Sequence, residues 1–134
     1  MTSDLSDTDY AALAEFRFAL RRFQVFSEAK AAEAGLTPQQ HQALLAIRAA
    51  DPEDATVGYV AQRLIVKPHT ASGLIDRLET LGLVRREAAP SDRRRALLRL
   101  TAHATGILSD LSAVHREEIR RLQPLIVVIN TLLT

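Results

Sequence analysis

Cysteine is absent from the 134 residues, which excludes disulfides, thiolate zinc sites, cysteine nucleophiles and thiol-based peroxide sensing. No apolar run approaches the roughly 18 residues that a membrane span requires. The N-terminal MTSDLSDTDY is acidic and polar and lacks the apolar core of a secretory signal, so the expectation is a cytoplasmic protein. Glycine is scarce, with five residues, and no glycine-rich phosphate loop occurs. The four histidines, His41, His69, His103 and His115, are scattered, and no Ser-His-acid arrangement is visible. Neither an enzyme nor a cofactor or metal site is expected. The acids of DPEDA (Asp51, Glu53, Asp54) read as a solvated turn, because no glycine-hinged series of ligands follows them.

What is present suits one domain of ordinary composition, long enough to bury a core of its own. The net charge of +1 conceals an uneven distribution. Residues 57–101 hold nine Lys or Arg against four acids, while the remainder holds eight against twelve. A basic middle between acidic ends is the asymmetry that a polyanion-binding surface needs.

Helical periodicity dominates. From Asp9 to about Glu33, Leu13, Phe16, Leu20, Phe23 and Ser27 repeat at spacings of three and four and mark an amphipathic helix. Phe18, Val25 and Phe26 lie off that stripe, so the helix is apolar on more than one side and needs two neighbours. Gly35 stops it. Thr37, Pro38 and Gln40 then form a helix start with a capping box, and this second helix runs to Ala50. Thr56 caps a short third helix bearing Val57, Val60, Ala61 and Leu64 on one face. After Ile65-Val66-Lys67, Pro68 opens a fourth helix reaching Gly82, with Ala71, Leu74, Ile75 and Leu78 as its buried stripe. Two such helices joined by three residues form a helix-turn-helix.

Leu83–Ala88 and Ala96–Leu100 are short strands separated by AAPSDRRR, a β-hairpin with a long basic tip. Thr101 starts a further helix with Ile107, Leu108, Leu111, Val114 and Leu122 apolar, interrupted at Pro124. The tail LIVVINTLL reads as helix despite its β-branched residues, because no partner strand is evident. The expected fold is mainly α with a small hairpin wing.

A helix-turn-helix followed at once by a basic hairpin has the parts that duplex DNA requires. A helix fits the major groove and its exposed side chains reach base edges there. At about 100° per residue, a buried Ala71/Leu74/Ile75/Leu78 stripe turns His69, Gly73, Asp76 and Thr80 outward, flanked by Thr70, Ser72 and Arg77. Arginines on a wing can enter an adjacent minor groove, whose potential is most negative where it is narrow. Asp92 beside Arg93, Arg94 and Arg95 is expected to pair with one arginine and fix the direction of its fork.

TVGYVAQRLIVKPHTASGLIDRLETLGLVRR followed by DRRRALLRLT resembles the MarR family of bacterial winged helix-turn-helix transcription regulators. The specific runs are Leu78, Leu81, Gly82, Leu83, Val84 and Arg85, then Asp92, Arg94, Leu100 and Thr101. The resemblance implies a homodimer with interlaced terminal helices that binds a pseudo-palindromic operator, usually as a repressor. It further implies release by a small aromatic or phenolic effector, entering where the first helix, the second helix and the helix after the wing meet. On this reading residues 1–134 form one MarR-type domain. Residues 9–35 and 101–134 are dimerisation helices, with Leu13, Phe16, Leu20, Phe23, Leu125 and Ile129 at the interface. Residues 36–100 are the DNA-binding region, with Lys67, His69, Thr70, Ser72, Asp76, Arg77, Asp92, Arg93, Arg94 and Arg95 facing DNA.

Four positions depart from the family pattern. Ile65 stands where the turn usually has glycine, so the turn is expected to form without a positive φ there. Lys67 replaces the usual capping residue of the recognition helix, leaving amides that a DNA phosphate can satisfy. Gly73 removes a side chain from the outward face, and Ala-His-Ala follows the LT of the wing where the family often ends on glycine. His115 with Glu117 and Glu118 is similar to zinc-responsive members, yet reads as a solvent-facing helical histidine. The alternative function is a winged-helix module that docks on protein or RNA without binding an operator.

Overall fold

A computed structural model describes residues 4–133; the side chains of Glu118, Leu132 and Leu133, and the first three residues of the acidic N-terminus, lie outside what is described. Five helices and one hairpin follow in the order α1 (Asp7–Glu33), α2 (Pro38–Ala49), α3 (Val57–Leu64), α4 (Pro68–Thr80), β1 (Val84–Ala89), β2 (Asp92–Leu100) and α5 (Ala102–Leu133).

Local signals set most boundaries. α1 starts two residues before the sequence-based expectation because Ser6 and Asp9 form a capping box: Ser6 Oγ accepts from the Asp9 N–H at 3.2 Å, and Asp9 Oδ2 accepts from the Ser6 N–H at 3.0 Å. Gly35, at φ 81°, ends α1, and the Leu36 N–H reaches back to the Ala31 carbonyl at 2.9 Å. Thr37 and Gln40 form the expected capping box on α2, and Thr56 Oγ1 accepts from the Tyr59 N–H on α3. α4 ends at Thr80, two residues short of Gly82, which takes the left-handed φ of 73° that turns the chain into the hairpin.

The helix-turn-helix turn corrects one expectation. Ile65 adopts φ 56° and ψ 51°, the left-handed conformation that the sequence reading denied it. The Val66 N–H donates to the Ala61 carbonyl at 3.0 Å, so the end of α3 needs that conformation whatever residue occupies it. A β-branched residue there carries strain of roughly 1–2 kcal/mol. Its side chain is 91% exposed and gains nothing from burial in return.

Leu44, Val60, Ile75, Leu78, Val84 and Leu98 are buried together, joining α2, α3, α4 and both strands. The wing is anchored at its base. Leu98 N–H donates to the Ala55 carbonyl at 2.7 Å, and Arg99 Nη1 donates to the Pro52 carbonyl at 2.6 Å, which fixes the DPEDA turn. Thr101 Oγ1 donates to the Gly82 carbonyl at 2.7 Å and accepts from the Ala104 N–H at 3.2 Å, so one hydroxyl closes the hairpin and caps α5.

α5 runs through Pro124 without stopping, against the interruption expected there, and the LIVVINTLL tail is helical as expected. A proline removes one i→i−4 bond without ending a helix that its neighbours support. α5 packs on α1. No helix among the described residues is long and apolar enough to cross a membrane.

Candidate nucleic-acid interface

α4 presents the outward set that its sequence predicted. Ala71, Ile75 and Leu78 are buried and Leu74 is half-buried, while His69, Thr70, Gly73, Asp76, Arg77 and Thr80 are exposed and Ser72 is half-buried. Lys67 is the N-cap and makes no side-chain cap, so the first amides of α4 stay open to an external acceptor. A Cβ built on Gly73 meets nothing within 4 Å, so this notch in the outward face is open space.

Asp76 does not stand alone on that face. Arg86 on β1 donates to Asp76 Oδ1 and to Glu79 Oε1, each at 2.8 Å. The hydrogen bond to Asp76, with Glu79 adding to it, holds the guanidinium above its ordinary pKa. One arginine thus ties α4 to the wing and offsets two acids that would repel a phosphate backbone. The sequence reading missed Arg86. The available signal was the pair Asp76 and Glu79 at a spacing of three, which places two carboxylates on one face of α4 with no basic partner on the helix.

The wing differs from its expected shape. Instead of a long loop, β1 and β2 are joined by a turn at Pro90-Ser91, and the arginines belong to β2. Ala88 pairs with Ala96 and Ala89 with Asp92, so Arg93, Arg94 and Arg95 form an irregularity with no partners on β1. All three side chains are exposed. Asp92 does not grip a guanidinium. Its Oδ1 accepts the backbone N–H of Arg94 at 3.0 Å, a local turn that fixes the main chain under the arginines. Short acids favour such bonds to their own backbone two residues on, which is why the expected side-chain pair is replaced.

His115 corrects another expectation. It is half-buried between α1 and α5 rather than solvent-facing: Nδ1 lies 2.9 Å from the Leu111 carbonyl and Nε2 lies 3.2 Å from Ser27 Oγ. Its ring stacks on His41 of α2 at 4.8 Å between centroids. Sequence separation hid this pairing, since nothing in local spacing joins α2 to α5. Among the described residues no cluster of three or more His, Asp or Glu is placed to hold a metal ion.

Of the residues expected at a dimer contact, Leu13, Phe16 and Leu20 are exposed on α1, whereas Phe23, Leu125 and Ile129 are half-buried.

The geometry of a helix-turn-helix with a basic wing is matched by a family model. That of the MarR family covers residues 34–95, from the end of α1 into the arginine run. The solved structure of AbsC, a MarR family transcriptional regulator from Streptomyces coelicolor, is 26% identical over 90% of this chain and 81% of that one, with a TM-score of 0.71. Residues 34–95 thus match the MarR family, and the whole fold is similar to that of its solved members. Other family-like folds superpose comparably. CouR from Rhodococcus jostii, solved with p-coumaroyl-CoA, is 26% identical over 90% of this chain and 81% of that one, with a TM-score of 0.70. Sco3205, a MarR family regulator from Streptomyces coelicolor solved with DNA, shares the fold at 20% identity over 90% of this chain and 76% of that one, with a TM-score of 0.70. No curated protein matches the sequence.

Proposed function

We propose that this MarR-family regulator acts in the cytoplasm as a homodimeric repressor, binding a pseudo-palindromic operator and released by a small aromatic ligand. The observation that carries the reading is the pairing of α4, whose outward face is polar and open at its N-terminus, with three unpaired arginines on the adjoining wing. α4 enters the major groove, where His69, Thr70, Ser72 and Arg77 reach bases or phosphates and Lys67 with the uncapped amides takes a phosphate. Arg94 enters the neighbouring minor groove, and Arg93 and Arg95 touch phosphates. Asp92 supports the backbone beneath them. Asp76 acts through Arg86 rather than through DNA.

Residues 36–100 are the DNA-binding region of the single domain, and 9–35 and 101–134 dimerise. Supporting this division, Leu13, Phe16 and Leu20 on α1 and Ile119, Ile126, Val127 and Val128 on α5 leave large apolar side chains open to water. Two recognition helices then meet half-sites about one turn of DNA apart, roughly 34 Å.

A footprint on the protein's own promoter region, repeated across salt concentrations, tests the reading. The expected result is protection of an inverted repeat by two subunits, with affinity falling steeply with salt. Binding to single-stranded RNA or to protein in place of duplex DNA is the outcome that would favour an interaction module.

A further inference from the structure

α4 carries a glycine midway along its 13 residues, although glycine is the least favourable helix residue after proline. Gly35 and Gly82 take the positive φ that closes α1 and α4, whereas Gly73 has no such conformation to serve. Gly58 and Gly106 lie near the starts of α3 and α5. A Cβ built on Gly73 meets no atom within 4 Å, so no neighbour in the fold requires its absence. The reason for a glycine at this position lies outside the chain's own packing.

The notch it leaves has a defined rim. His69 and Thr70 stand one turn before it and Asp76 and Arg77 one turn after it, all of them exposed. Helical side chains lean toward the N-terminus, so Asp76 and Arg77 project over the turn that holds Gly73. Arg86 of β1 donates from Nη2 to Asp76 Oδ1 at 2.8 Å, which draws that carboxylate toward the wing. The gap that remains is shallow and uncharged. Its floor is the Gly73 Cα, with neither a donor nor an acceptor, since the amides and carbonyls of a helix interior bond to one another.

Resting on the proposed operator reading, we infer that Gly73 is a specificity-determining residue whose notch receives the C5-methyl group of a thymine in the major groove. The chemistry of the gap selects this occupant. Base edges in the major groove present donors, acceptors and one apolar projection, the thymine methyl. A polar base edge or a phosphate placed on the notch would give up water and find no partner. A methyl group loses only unfavourable hydration there. With no side chain at the middle of the face, α4 lies closer to the bases, and His69, Thr70 and Arg77 flank the methyl as the polar contacts. Arg86 serves the same contact by keeping Asp76 off the notch.

The test begins with duplexes selected from a random pool by the full chain. Each thymine of the selected site is then replaced by uracil, which lacks only the C5-methyl group. Affinity for every duplex is measured by anisotropy for the unaltered chain and for Gly73→Ala, beside urea unfolding of both. For the unaltered chain, uracil at one thymine position should weaken binding about fourfold, the effect of one buried methyl group. Gly73→Ala should raise the urea midpoint, because alanine suits an exposed helix position better. The same substitution should weaken binding to the thymine duplex about tenfold, because the new Cβ meets the base methyl. On the matching uracil duplex that deficit should largely vanish, since the protein methyl then fills the space of the missing one. Opposite signs in stability and affinity separate a DNA contact from a structural role. The inference is overturned if Gly73→Ala binds the thymine duplex as tightly as the unaltered chain, if uracil at no position reduces its deficit, or if its urea midpoint falls. A pool that yields no preferred duplex removes the operator reading and the thymine contact together. A preferred duplex on which the uracil series fails leaves the regulator standing and removes the contact alone.

Discussion

The winged centre and the long terminal helices solve opposite problems. In the centre, Leu44, Val60, Ile75, Leu78 and Leu98 are fully enclosed, each helix start from α2 to α3 carries a side-chain cap, and Thr101 closes the hairpin onto the next helix. α1, by contrast, buries only Ala31 among its described residues, and leaves Leu13, Phe16 and Leu20 exposed by 46, 37 and 40%. Both regions are rich in apolar residues, so composition does not separate them. Enclosure does. A helix whose apolar side chains stay exposed after packing on α2 and α5 of its own chain has a face waiting for another chain.

The largest test of that contrast is a core truncation. Ile75→Ala should destabilise the winged centre by about 2–5 kcal/mol, read by urea unfolding. Leu13→Ala on α1 should change the stability of the isolated chain by a fraction of that amount, unless it also weakens assembly. Equal effects at both positions would erase the distinction between the regions.

Next in size are the wing contacts. Arg94→Ala should lower operator affinity by about 1–3 kcal/mol, with little change in stability, measured by fluorescence anisotropy. Asp92→Asn keeps an oxygen for the Arg94 N–H and should preserve binding, whereas Asp92→Ala removes that oxygen and should weaken it. Equal losses from both Asp92 substitutions would mean that the charge matters and the turn does not.

Arg86→Met sharpens the comparison from within the centre. It frees Asp76 and Glu79 beside the proposed DNA surface and unties α4 from β1, so operator affinity should fall by about 1 kcal/mol through charge alone, more at low salt than at high. An affinity unaffected by the substitution at low salt would show that the tie has no part in binding.

Ile65→Gly relieves the left-handed strain at an exposed site and should stabilise the chain by up to about 1 kcal/mol. A loss of stability in urea would mean that Ile65 makes a contact outside this chain.

The smallest effect is a pH dependence. His41 is held below its ordinary pKa, so the unfolded chain binds the proton more readily than the folded one. Stability is then full above about pH 6.5, the unfolded value, and declines as pH falls toward the lowered folded value. His41→Gln should flatten that limb of a melting-temperature profile. An unchanged limb would assign the decline to other groups.

Most of the centre was legible in the sequence because its information is local. Thr37, Pro38 and Gln40, the Thr56 cap, and the Ala71/Ile75/Leu78 stripe each state their structure within four residues. What was not legible depends on groups far apart or on backbone geometry. The Ile65 conformation follows from the Val66-to-Ala61 hydrogen bond rather than from isoleucine's own preference. The Asp92 carboxylate chose the nearest backbone N–H over a longer side-chain partner. Arg86, and the meeting of His41 with His115, required the packing of elements that sequence spacing cannot relate. The proposed site was therefore readable as a face and a wing, while the side chains that steady them were not.

Sedimentation of the free chain at low micromolar concentration tests the central claim, that the centre stands alone and the terminal helices do not. A single species with the mass of two chains, persisting on dilution until folding itself is lost, is the predicted result. A folded monomer, with Leu13, Phe16 and Leu20 open to water and operator binding intact, would contradict it.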